Sequence, residues 1–367
     1  MIARQLLIVP ILSFSVAILT DSSCNERSKS KPLTIEERVY IPMAACDNGE
    51  PVPNMAVPIH GGAQFVCPSS PKKTSLRSKP VISADGIAME VGTVVVMSIS
   101  REQAILATDS RRTNIDLKNR RINGYHDSAC KLQALSPSLL FAAAGMTSTD
   151  RSLPADIYYD AVELGRQASQ TFEFDPTWME QNQAVREIAA MWAWDVAFHI
   201  RRGLREGLYR PFHSTWVTGV FVGLEPNGEL SAAIATLEYH EQRAGMIVPP
   251  ISILIRNPIP PKNFTWIDSF GRNDVTESYV SKQRVTDETR ALHLRFRNQQ
   301  VSNPRHFSAQ IVKELVELTI EKDEVRLSDG NSYKPVGGEV DIARLRRKGV
   351  VEWVQRKDGC AQVIASP

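Results

Sequence analysis

Net charge is almost absent from this chain: 43 Lys and Arg against 41 Asp and Glu leave a formal +2 over 367 residues. So small a surplus gives no electrostatic reason to expect a polyanion as partner, and nucleic acid is set aside. The basic spots Arg201-Arg202 and Arg344-Leu345-Arg346-Arg347-Lys348 read as solvated faces. Closely spaced cysteines are also missing. Cys24, Cys46, Cys67, Cys130 and Cys360 lack the spacing of a zinc site or a redox motif, so neither a metal nor another cofactor is expected. No Gly-x-Ser-x-Gly elbow surrounds any serine, which removes the usual sequence sign of an α/β-hydrolase. The apolar run from Leu6 to Leu19 is shorter than the roughly 20 residues of a spanning helix.

What is present is a hydrophobic content of 43%, enough for a substantial core in one large domain or two. Met1-Ile2-Ala3-Arg4 and the apolar run behind it have the charged start and short greasy middle of a secretory signal, so residues 1–24 are expected to be a signal peptide. The same segment also fits an uncleaved anchor, with membrane association through it, or a lipid-modified Cys24. The expected location is therefore exported, as a periplasmic, extracellular or membrane-anchored protein, with the cytoplasm as the alternative. Residues 25–92 are rich in proline, serine, glycine and lysine without a sustained period, and read as an extended leader or propeptide, with order beginning near Met89. In an exported chain Cys46 and Cys67 could bridge, while Cys130, set in an apolar strand, reads as a buried free thiol.

From Gly92 to Arg111 two β-branched, apolar runs flank a charged turn, the pattern of a β-hairpin. A polar loop over 112–127 follows, then strands over 129–134 and 138–144. Helical periodicity covers 156–171 and 178–205, and Trp192, Trp194 and Phe198 in the second read as packing residues, an aromatic recognition surface being the sharper alternative. Strands are expected at 215–224, 229–237 and 246–255, helices at 286–298 and 308–322, and a closing strand pair at 338–345 and 350–355. Segregated runs of strands and helices indicate an α+β domain with antiparallel sheets over 93–358, ahead of a tail at 359–367.

The hairpin brings its two ends together, so Asp109 is expected beside Thr93. A threonine hydroxyl is a weak nucleophile that needs a base, and no histidine lies in the hairpin. An N-terminal amine, with an ordinary pKa of about 7.7 to 8.0, suits that work. Lys131 interrupts an apolar run on the next strand and is the candidate for an ammonium that lowers the pKa of this amine, with Asp109 as its counter-charge. Gly145 ends the following strand, where an unobstructed backbone N–H could cradle an oxyanion.

This constellation resembles the proteasome β-subunit branch of the N-terminal nucleophile hydrolases. The match runs through Gly92-Thr93-Val94-Val95-Val96, Ala107-Thr108-Asp109-Ser110-Arg111, Lys131-Leu132, Ala144-Gly145 and Val336-Gly337-Gly338-Glu339-Val340-Asp341, over roughly 91–355. The resemblance implies a four-layer αββα sandwich of two antiparallel sheets flanked by helices. It also implies removal of the leader by attack of Thr93 on the carbonyl of Gly92, and hydrolysis of a peptide or amide substrate through an acyl-enzyme. By position Thr93 is nucleophile and base, Asp109 and Lys131 the supporting pair, Ser110 and Arg111 supporting residues, and Gly145 the oxyanion donor; a homo-oligomer is conceivable on the same ground. Two polar residues that active relatives place around the Gly-Gly turn are here Tyr333 and Val336, with Asp268 and Ser269 as candidate substitutes.

A catalytically silent, proteasome-like scaffold or binding subunit is the second reading. The third is a different hydrolase, with Ser110 as nucleophile and His126 or His240 as base.

Overall fold

Val94 to Ile99 is apolar or β-branched on nearly every position and too short for a helix, and it forms a strand buried along its whole length. The computed structural model describes residues 34–40, 88–116, 121–173, 183–209, 215–239, 251–259, 265–280, 286–299, 304–326, 332–358 and 360. The chain begins with strands β1 (Thr34–Tyr40), β2 (Ala88–Val91), β3 (Val94–Ile99), β4 (Gln103–Thr108), β5 (Arg112–Asp116), β6 (Arg121–His126), β7 (Leu132–Ser136), β8 (Leu139–Gly145) and β9 (Ser148–Thr149). Helices α1 (Ala161–Glu173) and α2 (Ala184–Arg205) follow, then β10 (Thr215–Leu224), β11 (Leu230–Tyr239), β12 (Ile251–Pro258) and β13 (Trp266–Gly271). Helices α3 (Asp274–Val280), α4 (Asp287–Gln299) and α5 (Pro304–Lys322), the short pair β14 (Val325–Arg326) and β15 (Ser332–Tyr333), and strands β16 (Asp341–Arg346) and β17 (Val351–Gln355) complete it.

The result is an α+β sandwich built on antiparallel sheets. A six-stranded sheet runs β1-β12-β11-β10-β8-β7, a five-stranded sheet β13-β3-β4-β16-β17, and a smaller four-stranded sheet β6-β5-β2-β9. Alternation along β3 and β4 decides which core each residue enters. Val95, Met97 and Leu106 join Leu140, Ala142, Val220 and Ile234 in a core drawn from both large sheets. Val94, Val96, Ile105 and Ala107 turn the other way, onto Val312, Leu315 and Val316 of α5. Phe141, Phe221 and Ile253 of the six-stranded sheet pack with Ile188, Trp192 and Val196 of α2. Trp192 is wholly enclosed, with ring centroids 5.7 Å from Phe141 and 5.8 Å from Phe221, and its indole N–H donates to the Ala161 carbonyl at 2.9 Å, so it is a core residue rather than a recognition surface.

Several expectations are corrected. The stretch 112–127 is not a loop but contains the hairpin β5–β6, whose threonine and isoleucine positions were outweighed in the sequence by its charges. The leader also carries structure: β1 lies well before Met89 and β2 begins at Ala88. Strand β13 and helix α3 were not expected as elements. Cys130 is not a free thiol. It is bonded to Cys360, 230 residues away, with Cα atoms 5.6 Å apart, a pairing that only the fold could bring about. Residues 1–24, Cys24, Cys46, Cys67 and His240 lie outside the described residues. Among the described residues no helix is long and apolar enough to cross a membrane.

Candidate active site

The hairpin places Asp109 opposite Val94, the residue that follows Thr93. Register pairs Val95 with Thr108, and one step further the Asp109 carboxylate accepts the Val94 N–H at 3.0 Å. The same carboxylate accepts the N–H groups of Arg111 and Gly337, both at 3.1 Å. Gly337 belongs to the turn before β16, 228 residues along the chain, and its carbonyl accepts the Ser110 and Arg111 N–H groups at 3.1 and 2.9 Å, so the Gly-Gly turn is fastened to the hairpin by these backbone bonds together with the Asp109 side chain.

Lys131 does not sit on the neighbouring strand of that sheet. It precedes β7 in the six-stranded sheet, and its side chain reaches across to the five-stranded sheet, so the cluster occupies the seam between the two. The ammonium donates to both Asp109 oxygens, at 2.9 and 3.1 Å, and to the Gly92 carbonyl oxygen at 2.7 Å. Three protons meet three acceptors, which accounts for a complete –NH₃⁺. Both side chains are essentially inaccessible, at 1% for Lys131 and 0% for Asp109. Burial lowers the Lys131 pKa to about 8, with Asp109 acting in the opposite direction. Burial likewise pushes the Asp109 carboxyl up, against the pull of Lys131 and of the Gly337 and Val94 N–H groups. Breaking such a pair from one side leaves an uncompensated buried charge, at a cost of about 3–5 kcal/mol.

The Gly92 carbonyl receives a second donor, the Thr93 hydroxyl, at 2.6 Å. Gly92 has φ +89°, and a Cβ placed there would lie 2.2 Å from the Pro335 carbonyl oxygen, so no larger residue fits this backbone. On its other side the Thr93 carbonyl accepts the Arg272 N–H at 3.1 Å. Thr93 itself is buried at 1% exposure.

Gly145 ends β8 at φ +98°, and an added Cβ would come within 2.6 Å of the Trp216 carbonyl oxygen, which explains glycine there by backbone alone. Its neighbour Ala144 approaches the strand end that holds Thr93: the Cβ position at Gly271 lies 3.2 Å from the Ala144 Cβ and 2.0 Å from the Thr93 oxygen. Arg111 is a brace, forking onto Asp127 at 2.6 and 2.8 Å, donating to the Lys334 carbonyl at 3.2 Å and lying over the Tyr125 ring at 4.2 Å. Ser110 is buried, and its hydroxyl donates to the Asp127 carbonyl at 2.8 Å, an arrangement that ties down the loop rather than presenting a nucleophile.

Neither proposed substitute for the missing polar helpers reaches Thr93. In the β13–β3 register Ser269 faces Val96 and Asp268 faces Met97, about 10–13 Å along the strand from Thr93. Val336 is wholly buried in the apolar cluster beneath α5, and Tyr333 is half-buried. The polar pair at this corner is one the sequence did not disclose: Arg272 clamps the nearly buried carboxylate of Asp323 with Nε and Nη2, each 2.6 Å from Oδ1. They border a small cavity of about 170 Å³ between α3, α4 and α5. Arg272 directly follows Gly271, a faint signal; Asp323 follows α5 with none. Lys357 is a second missed residue. Its backbone N–H donates to Asp341 at 2.9 Å and its ammonium bonds the Ala129 carbonyl, so the segment that carries Cys360 also grips the approach to Lys131.

Neither a protein-family model nor a curated protein matches the chain. Among the described residues no three His, Cys, Asp or Glu side chains gather as a metal site.

Proposed function

We propose that the protein is a self-processing threonine-type amide hydrolase that cuts its own Gly92–Thr93 bond. The observation that carries this reading is the Gly92 carbonyl, whose oxygen accepts both the Lys131 ammonium at 2.7 Å and the hydroxyl of the very residue that would attack it, at 2.6 Å. When Thr93 Oγ attacks, it becomes the bonded atom, and the Lys131 ammonium is left as the donor on the oxygen where negative charge develops; a fixed donor of this kind is usually the largest single contribution in acyl transfer. Thr93 Oγ gives up its proton and bonds to the Gly92 carbon, the C–N bond breaks as the Thr93 nitrogen takes up a proton in its place, and an ester results. Water then hydrolyses the ester, leaving a Gly92 carboxylate, the restored Thr93 hydroxyl and a free Thr93 amine, which serves as base for later substrates. For these, Gly145 at the end of β8 is assigned as an oxyanion donor.

The substrate class is an extended peptide or similar amide. The support is β2, the acyl side of the bond to be cut, which lies as a strand with Val91 opposite Thr113 on β5 and Glu90 opposite Ser148 on β9. Helices packed on the outer faces of two antiparallel sheets support the finer αββα reading and the resemblance to proteasome-type N-terminal nucleophile hydrolases. The Cys130–Cys360 bond favours an exported, oxidising location, because disulfides persist there and are rare in the cytosol.

Val336 and Tyr333 favour the second reading, a silent proteasome-like scaffold, since the polar groups expected around the Gly-Gly turn are absent from it. Intact-mass measurement of the purified full chain separates the two. A mature species beginning at Thr93, absent in Thr93→Ala, is the expected result, and a chain that stays whole at Gly92–Thr93 rejects self-processing.

A further inference from the structure

The segment before Thr93 supplies strands to two different sheets. β1 pairs residue for residue with β12, from Thr34 opposite Pro258 to Tyr40 opposite Ser252, and forms an edge of the six-stranded sheet. β2 lies inside the four-stranded sheet between β5 and β9 and ends immediately before Gly92. The strand that β1 covers reads Ile251-Ser252-Ile253-Leu254-Ile255, with Ile251, Ile253 and Ile255 in the core beneath α2. Stripped of β1 it would be a bare apolar edge with a row of unpaired N–H and C=O groups, a form that folded proteins avoid. Cutting the Gly92–Thr93 bond breaks neither ladder. It converts the Gly92 carbonyl, already 2.7 Å from the Lys131 ammonium, into a carboxylate, and so adds charge to that contact.

We propose that the leader is not discarded after self-cleavage but stays as a bound second chain, anchored by β1 on the edge of β12, and that this anchor keeps β2 in the groove between β5 and β9. The inference rests on the self-processing reading for the cut, while the anchor rests on strand pairing alone. Because β1 and β2 belong to one fragment, return of β2 to the groove is an intramolecular event, at an effective concentration that a free peptide does not reach. The freshly cut protein is therefore latent, and becomes active once the connection between β1 and β2 is severed and β2 can leave.

The test uses the full chain with a specific protease sequence inserted among residues 41–87. In a Thr93→Ala background, which cannot cut itself, the β1 fragment released by that protease is expected to co-elute with the remainder under native conditions and to separate in denaturant; separate native elution overturns the anchor. In a Glu37→Pro/Arg38→Pro version one of the two positions must lose a ladder donor, so release is expected, and continued co-elution overturns the pairing as the cause. In the Thr93 chain the self-cleaved protein is expected to retain the leader segment that carries β1 and β2. Cutting the inserted site is expected to raise turnover of an added peptide amide by about tenfold or more. Loss of the leader on cleavage, or no gain on severing it, overturns the proposal. A chain that never opens at Gly92–Thr93 defeats the self-processing reading, and the Thr93→Ala arm then decides the anchor on its own.

Discussion

The ammonium of Lys131 and the carbonyl oxygen of Gly92, 39 residues apart in sequence, are joined by a 2.7 Å hydrogen bond. That contact gives the lysine a job beyond neutralising Asp109, because its third proton points at the bond proposed to be cut.

Lys131→Met keeps the bulk of the side chain and removes the ammonium. Loss of one donor to a developing oxyanion costs about 10²–10³ in rate, so cleavage at Gly92–Thr93 is expected to fall by that factor. Stability is expected to fall by about 3–5 kcal/mol as Asp109 is left buried without a counter-charge. The double variant Asp109→Asn/Lys131→Met removes both charges and is expected to regain most of the stability while remaining uncut. Urea unfolding and intact mass, measured on the same samples, separate the two effects.

The pH dependence carries a definite sign. The donor is the ammonium, and burial brings its pKa from 10.5 to about 8. Half the ammonium is gone at about pH 8 and about nine tenths one unit higher, so the cleavage rate is expected to fall roughly tenfold toward pH 9. Between about 8 and 10.5 the unfolded chain binds more protons at this lysine than the folded one. Its contribution to stability therefore rises with pH while cleavage declines. A cleavage rate that climbs through pH 8 would mean that neutral Lys131 acts as a base instead.

Arg272→Ala leaves the backbone N–H that holds the Thr93 carbonyl but strips the guanidinium from Asp323. The carboxylate is 2% exposed and Arg272 is 39% exposed, so the loss is expected near 1–3 kcal/mol, below that of a wholly buried pair. Burial raises the Asp323 carboxyl and Arg272 opposes this, so adding Asp323→Asn is expected to recover part of the loss. Thermal unfolding of the two variants checks the order.

Cys360→Ser opens a covalent loop with a sequence separation of 230 residues and is expected to lower stability by about 2–4 kcal/mol. A reducing agent should lower the melting temperature of the parent chain and leave that of the variant unchanged. Peptide mapping without reduction is expected to recover Cys130 and Cys360 in one linked species.

The sequence by itself determined the strongly patterned parts of this protein. The β-branched run at Val94 and the spacing to Asp109 suffice for a hairpin whose two ends meet, because strand pairing is local and has a strict period of two. Tertiary structure decided what local pattern does not encode. Lys131 reaches Asp109 from the facing sheet, Gly337 closes on Asp109 from 228 residues away, and Arg272 meets Asp323 across the space between a strand end and a helix end. The sequence had named Lys131 and Asp109 as partners without placing them on facing sheets, whereas the bond between Cys130 and Cys360 and the pairing of β1 with β12 were hidden altogether. Each joins segments brought together by the packing of one sheet on another or by completion of a sheet edge, and the strength of such contacts comes from burial, which periodicity does not record.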